Sequence, residues 1–424
     1  MPYVADLHIH SRFSRACSQE INIPNLSKWA KFKGIDLIGT GDFLHPMWFA
    51  ELKKYLKEGA SGIHDFEGTK FLLTNEISCI YSDKGKTRRI HIVVLMPSFD
   101  SVDRLQKEFL GRKINISSDG RPIVGLSAKE LCEMIWSIEK KAVIIPAHIW
   151  TPWFSLYGSE SGYDFFKECF EELSDKIFAI ETGLSSEPAM NWRIADLDNK
   201  SIVSFSDAHS LPKIGREVTI FKGNLSYDEL VDDLKKQNLV GTIEFFPEEG
   251  KYHYSGHRNC GVVYSAEELS KKGDICPVCK KRLTVGVMTR VQDLAVRTEK
   301  DLKLINENGV IKSQAFPERP GFRMLVQLQE IIAQALSTSV GTQKVKAIYE
   351  KLVTNVDTEL KILTKTPLDL ISMVAGEKIA EGIDQVRQGK LTIKPGYDNT
   401  YGVVKIWDEN EEEESARKQV GLFS

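Results

Sequence analysis

The chain has 424 residues, 42% hydrophobic and 27% charged, which is material for two or three packed domains. No apolar run approaches the ~18–20 residues of a membrane span, and seven cysteines, an odd number, argue against a secreted disulfide framework. The net charge of −3 is uneven: six acids lie in residues 408–414, and without them the remainder is +3. The N-terminus reads as a strand rather than a signal peptide, so a cytoplasmic protein with no membrane partner is expected.

Strand-like runs fall at 3–8, 35–40, 71–80, 90–96, 142–147, 177–182, 201–206, 217–221 and 239–246, with helical patterns between most of them. One helix opens at Pro24 and stops at Gly34; others open on the pairs Ser127 with Glu130 and Ser226 with Glu229. Strand alternating with helix implies parallel strands with helical crossovers, and an α/β fold over residues 1–246. A barrel is favoured over an open sheet because polar residues recur at the ends of nearly every strand, where a barrel gathers its site. Residues 247–288 are rich in Cys, His, Gly and Lys and read as a zinc module. Residues 289–395 read as helices, one of them over 322–336 and a pair meeting at Gly376. Residues 396–424 read as a short aromatic segment and an acidic tail.

The strand ends carry the candidate chemistry. Asp6-Leu7-His8-Ile9-His10 closes the first run, and histidines two apart on a strand face the same way. Asp42, Glu76, His91, His148, Asp207 and His209 follow on later runs. Imidazole with carboxylate suits zinc, manganese or iron, and eight such side chains exceed one tetrahedral zinc, so two or three ions with bridging ligands are expected. Magnesium is a further candidate for the barrel site. Glu76 is the expected bridge and Asp6 the expected orienter of His8 or His10. His45 is either an extra ligand or a loop residue. Ions so held suit phosphate-ester hydrolysis, since they generate hydroxide near neutral pH and neutralise phosphoryl oxygens. Arg12 and Arg15 are candidate phosphate contacts, with Arg193 a weaker one. Trp153, Phe154 and Tyr157 are candidate walls for an unstacked base.

Asp-Leu-His-Ile-His, the Thr-Gly-Asp at 40–42, Asn75-Glu76, the Ile-His-Ile-Val around His91, Pro-Ala-His at 146–148 and Ser-Asp-Ala-His at 206–209 resemble the polymerase and histidinol phosphatase (PHP) superfamily. That resemblance implies a distorted (β/α)7 barrel binding up to three metal ions. The family's second motif reads Thr-Asp-His; here an aspartate, Asp42, stands at that ligand position. A small-molecule phosphomonoesterase of the histidinol phosphatase type is the alternative activity.

His257-x-x-Cys260 and Cys276-x-x-Cys279, fifteen residues apart, form a zinc-ribbon pattern, with His253 competing for His257's place. A small helical domain follows. At the far end, Gln419, Leu422 and Phe423 resemble a shortened sliding-clamp-binding peptide. Longer stretches resemble the endonuclease Q family: residues 6–18, 40–46, 148–159, 204–217, 256–262, 276–287 and 376–398. This resemblance implies binding of damaged double-stranded DNA and metal-hydroxide cleavage 5′ of deaminated bases (hypoxanthine, uracil, xanthine) or abasic sites.

Overall fold

A computed structural model describes residues 1–407. The expected strands of the first half form as β1 (Tyr3–Asp6), β2 (Leu37–Gly39), β3 (Thr69–Asp83), β4 (Lys86–Met96), β5 (Val143–Pro146), β6 (Ala179–Glu181) and β7 (Ser201–Val203). Strands β1–β2, β2–β3 and β6–β7 pair in parallel. The amide of Ile149 donates to the Glu181 carbonyl, joining the segment after β5 to β6, and a parallel bridge between Ile9 and Ala208 joins the segments after β1 and β7. The strand ends carrying polar residues therefore meet around one point. The layer beneath them is apolar: Leu7, Leu37, Leu72, Val93, Ile145 and Val203 are buried together.

Strand β4 departs from the parallel expectation, for it runs antiparallel to both β3 and β5. The few residues between β3 and β4 cannot hold a crossover helix. Lys84 and Gly85 instead take left-handed φ values of 49° and 76°, which a tight two-residue hairpin turn requires. Glu76 and His91 consequently lie within a long hairpin rather than at strand termini.

The helices start as their sequences dictate. In α1 (Ile23–Lys33) the Asn22 side chain accepts the Asn25 amide, and Ser127 and Glu130 form a reciprocal cap on α2 (Ala128–Ile138). No helix among the described residues is long and apolar enough to cross a membrane.

Two boundaries differ from expectation. Residues 289–395 are not helical throughout. A hairpin of β10 (Leu304–Glu307) and β11 (Val310–Ser313) leads into β12 (Gly321–Met324), once β8 (Val218–Phe221) and β9 (Leu239–Glu244) have extended the barrel sheet. Strand β12 pairs in parallel with β9, so the helix expected over 322–336 begins only at Leu328. The open edge of β9 offers residues 321–324 a hydrogen-bonded ladder that outweighs local helix propensity. Second, residues 396–407 are not a tail: Val403–Lys405 pairs with Thr392–Lys394, and Val404, Ile406 and Trp407 are buried. The acidic run and Gln419, Leu422 and Phe423 lie outside the described residues.

The helices Leu328–Ala335, Gln343–Asn355, Glu359–Thr364, Leu368–Ala375 and Glu377–Gln388 pack against the barrel through a buried ion pair. Lys33, on α1, lies 2.7 Å from Glu359. Glu359 also accepts the Tyr349 hydroxyl at 2.7 Å and the Leu328 amide at 3.2 Å. Burial lowers the Lys33 pKa, with Glu359 opposing the shift.

Candidate functional site

Because side chains alternate along extended backbone, His8 and His10 project together from the segment after β1. Their Nε2 atoms lie 3.7 and 3.4 Å from the two Glu76 oxygens. On the hairpin, His91 Nδ1 is 2.6 Å from Glu76 Oε1, and His148 Nε2 reaches the same oxygen at 3.0 Å. Asp207 Oδ1 stands 3.1 Å from His10 Nε2 and 3.6 Å from His209 Nδ1. Three metal-sized groups result: His8, His10 and Glu76; Glu76, His91 and His148; and His10, Asp207 and His209. Glu76 belongs to two of them, which is what a bridging carboxylate requires.

Donor chemistry and spacing fit divalent ions, and His8 Nε2 is buried with no hydrogen-bond partner, as a ligand nitrogen aimed at an ion would be. Asp42, His148 and Asp207 all have left-handed backbone, at φ 49°, 30° and 46°. For residues other than glycine this costs about 1–2 kcal/mol each, a local expense characteristic of functional sites.

Two carboxylates stand behind the histidines. His8 Nδ1–H donates to Glu181 at 2.9 Å, and Glu181 also accepts the His148 amide at 2.9 Å. His10 Nδ1–H donates to Asp42 Oδ1 at 3.1 Å; the Ser11 amide and Ser14 hydroxyl occupy Oδ2 at 2.6 and 2.8 Å. Both rings are thereby fixed with Nε2 towards Glu76. Asp42 sits behind His10 and in none of the three groups, unlike the ligand position expected for it. Glu181 does the orienting expected of Asp6. Asp6 instead accepts the Ser206 and Gly215 amides, both at 2.9 Å, and so pins the loop bearing Asp207 and His209. Glu181 escaped the sequence reading; its signal was a lone charge inside an apolar strand.

Burial alone would lower the pKa of His8 and His10, but Glu181 and Asp42 outweigh it and hold both well above the ordinary imidazole value. Burial opposes ionisation of Glu76 and Asp207 too; facing imidazoles, His91 beside Glu76 and His10 beside Asp207, hold them well below the usual carboxylate range. Burial pushes His91 down to about 4, against Glu76. The carboxylates are thus ionised and ready to receive cations.

The other candidates separate. Phe154 packs on His91 with ring centres 4.8 Å apart, and its neighbour Trp153 stands edge-on to Tyr252 at 5.6 Å. Tyr157 is fully buried against Trp150 and turns no face to solvent, since aromatic density in a sequence does not say which side faces inward. His45 caps the helix Pro46–Tyr55 and bonds to the Ser117 carbonyl at 3.0 Å, which makes it structural. Arg12 is tied to Glu51, Arg15 is exposed, and Arg193 bonds to the Arg297 carbonyl. Arg121, not singled out from sequence, donates to Glu76 Oε2 at 3.1 Å.

Away from the barrel, His257, Cys260, Cys276 and Cys279 converge as a second metal-sized group, with His257 Nδ1 3.3 Å from Cys279 Sγ. Hydrogen bonds from the Cys279 and Val278 amides lower the Cys276 thiol to about 6. His253 lies outside this group; it is buried, and burial pushes it down to about 4.

Residues 327–390 match the MJ0043 C-terminal domain family. The chain is 28% identical to the uncharacterized protein YqxK of Bacillus subtilis, over 95% of its own length and 98% of that protein. It is also 28% identical over 264 residues to the uncharacterized protein MJ0043 of Methanocaldococcus jannaschii, spanning 60% of this chain but only 31% of that protein. Among solved structures, the lesion-specific endonuclease PfuEndoQ of Pyrococcus furiosus matches with a TM-score of 0.82 at 31% identity, over 96% of both chains. The chain belongs to the endonuclease Q family. A second endonuclease Q structure, in complex with a 27-mer duplex bearing an abasic lesion at the active site, matches with the same TM-score and identity, over 96% of this chain and 98% of that one. Endonuclease Q similarity thus spans the barrel, the ribbon and the helices together.

Proposed function

We propose that this protein is a DNA-repair endonuclease that hydrolyses the phosphodiester 5′ of a damaged nucleotide, whether hypoxanthine, uracil, xanthine or an abasic site. The end-to-end match to a lesion-specific endonuclease carries the reading, because a small-molecule phosphatase has no need of ribbon and helices. His8, His10, Glu76, His91, His148, Asp207 and His209 would hold divalent ions, with Glu76 shared between two of the three groups. Asp42 and Glu181 hold His10 and His8 in register. Zinc suits the imidazoles, while magnesium or manganese suits the carboxylate share. Bound ions lower the pKa of water and neutralise charge on the phosphoryl and leaving oxygens.

The chain's own residues grip and position. Trp153 and Phe154 offer flat faces to a nucleotide that has left the stack. Arg15 is the freer of the two basic side chains beyond the pentad and meets backbone phosphate. The zinc ribbon (His257, Cys260, Cys276, Cys279) and the helices hold the duplex. The terminal Gln419, Leu422 and Phe423 are proposed, on sequence alone, as a sliding-clamp peptide.

End-labelled duplexes carrying one uracil, hypoxanthine or abasic site, incubated with the purified protein and resolved by length, test the activity. Nicking 5′ of the lesion that disappears with chelator and in His8→Ala is the expected result. Hydrolysis of phosphomonoesters with intact lesion duplexes would refute it.

A further inference from the structure

Arg121 occupies an odd position for a cation. Its Nη1 is 3.1 Å from the central carboxylate, Glu76, within a cluster otherwise suited to metal ions. Among the described residues, no other lysine or arginine is ion-paired with Glu76 or Asp207. Arginine stays protonated and cannot serve as a ligand, so beside bound cations it is repelled. That repulsion is relieved if an anion sits between the guanidinium and the ions.

The guanidinium is placed to meet such an anion. Its side chain is 27% exposed whereas Glu76 is wholly buried, so it borders solvent at the edge of the cluster. Among the described residues only Nη1 has a hydrogen-bond partner, which leaves Nε and Nη2 to form a fork.

The loop that carries Arg121 is built into the site. A Cβ on Gly120 would lie 2.3 Å from Asp42 Oδ2 and 2.5 Å from Ser14 Oγ, so only glycine allows the loop to close over them. The Gly120 amide donates to the Phe13 carbonyl at 3.0 Å, and Asn75 donates to the Gly120 carbonyl at 3.3 Å. Asp119 accepts the amides of Arg121 and Arg15 at 3.1 and 3.3 Å. On the far side Pro122 accepts the Ser78 amide, and residues 123–124 pair with Ser78 and Cys79 of β3. Both flanks of Arg121 are thus fastened to segments that carry His10, Asp42 and Glu76.

We propose that Arg121 grips a non-bridging oxygen of the scissile phosphodiester, sharing that phosphate with the ions of the cluster. The proposal rests on the phosphodiesterase reading above. It is tested on metal-loaded wild type, Arg121→Ala and Arg121→Lys, with metal content measured for each. Titration calorimetry with inorganic phosphate should show Arg121→Ala binding more than about tenfold more weakly, the value of a lost charge-assisted hydrogen bond, with Arg121→Lys between. On an abasic duplex, kcat/KM of Arg121→Ala should fall about 10²–10³-fold at unchanged metal content, and millimolar guanidinium should restore part of it. Unchanged phosphate affinity overturns the proposal; so does loss of metal in step with activity and without guanidinium rescue, which would make Arg121 a structural counter-ion. If wild type nicks no lesion duplex, the function above fails, while the phosphate titration still decides Arg121.

Discussion

The chain holds two candidate metal-binding regions built on opposite plans. In the ribbon, four donors fall within 23 residues of sequence on a short hairpin and a turn, three of them partly open to solvent and Cys276 buried. In the barrel, seven donors are gathered from residues 8 to 209, four of them buried and His148, Asp207 and His209 half-buried, and held by carboxylates, serines and left-handed backbone. The ribbon's geometry depends on the ion that closes it, whereas hydrogen bonds around the barrel site specify its geometry in advance.

The largest expected effect breaks the barrel alone. Glu76→Gln should lower kcat/KM on an abasic duplex by about 10³-fold or more, since several kcal/mol of charge stabilisation would depend on the ions proposed to share it. Any metal held by the ribbon should be retained, which metal analysis would check.

Acid should weaken both regions. His64, beside the barrel, and His253, at the base of the ribbon, are each pushed down to about 4 by burial. Between about pH 6.5 and pH 4 the unfolded chain takes up a proton that the folded one refuses. Stability is therefore lost as pH falls through that window, by roughly 3 kcal/mol per histidine. His253→Leu should flatten the ribbon-side share of this loss in denaturant unfolding followed from pH 7 to pH 4.

Next comes the scaffold. Glu181→Gln keeps its shape but weakens the hold on His8, and should cost about 10–100-fold in barrel metal affinity or nicking rate. An effect confined to melting temperature would show that Glu181 supports the fold and not the site. Least affected should be barrel chemistry on loss of the ribbon. Cys276→Ser should weaken DNA binding in fluorescence anisotropy yet leave bis(p-nitrophenyl) phosphate hydrolysis unchanged.

The same contrast explains what sequence could disclose. Ribbon ligands are local, so spacing alone picked out His257 with the three cysteines. Barrel histidines stand out because few residue types bind metal and because most of them, His91 excepted, close successive strands. What supports them was hidden. Glu181 looked like a stray charge in a core strand, and Arg121 lies in a loop with no periodicity. Whether Asp42 faces an ion or the back of His10 depends on side-chain direction, which no motif encodes. The antiparallel course of β4 followed from a linker too short for a helix, and β12 from an edge that only the folded sheet presents.

That last pairing bears on how the protein can be divided. Strand β12 lies beyond the ribbon in sequence yet covers the flank of β9, and Lys33 of the barrel finds its counter-charge on Glu359. A fragment ending at residue 246 would bare a row of unpaired amides and carbonyls and leave Lys33 without its counter-charge. Such an edge invites pairing with another copy, so the isolated barrel should aggregate rather than serve as a free-standing catalytic module.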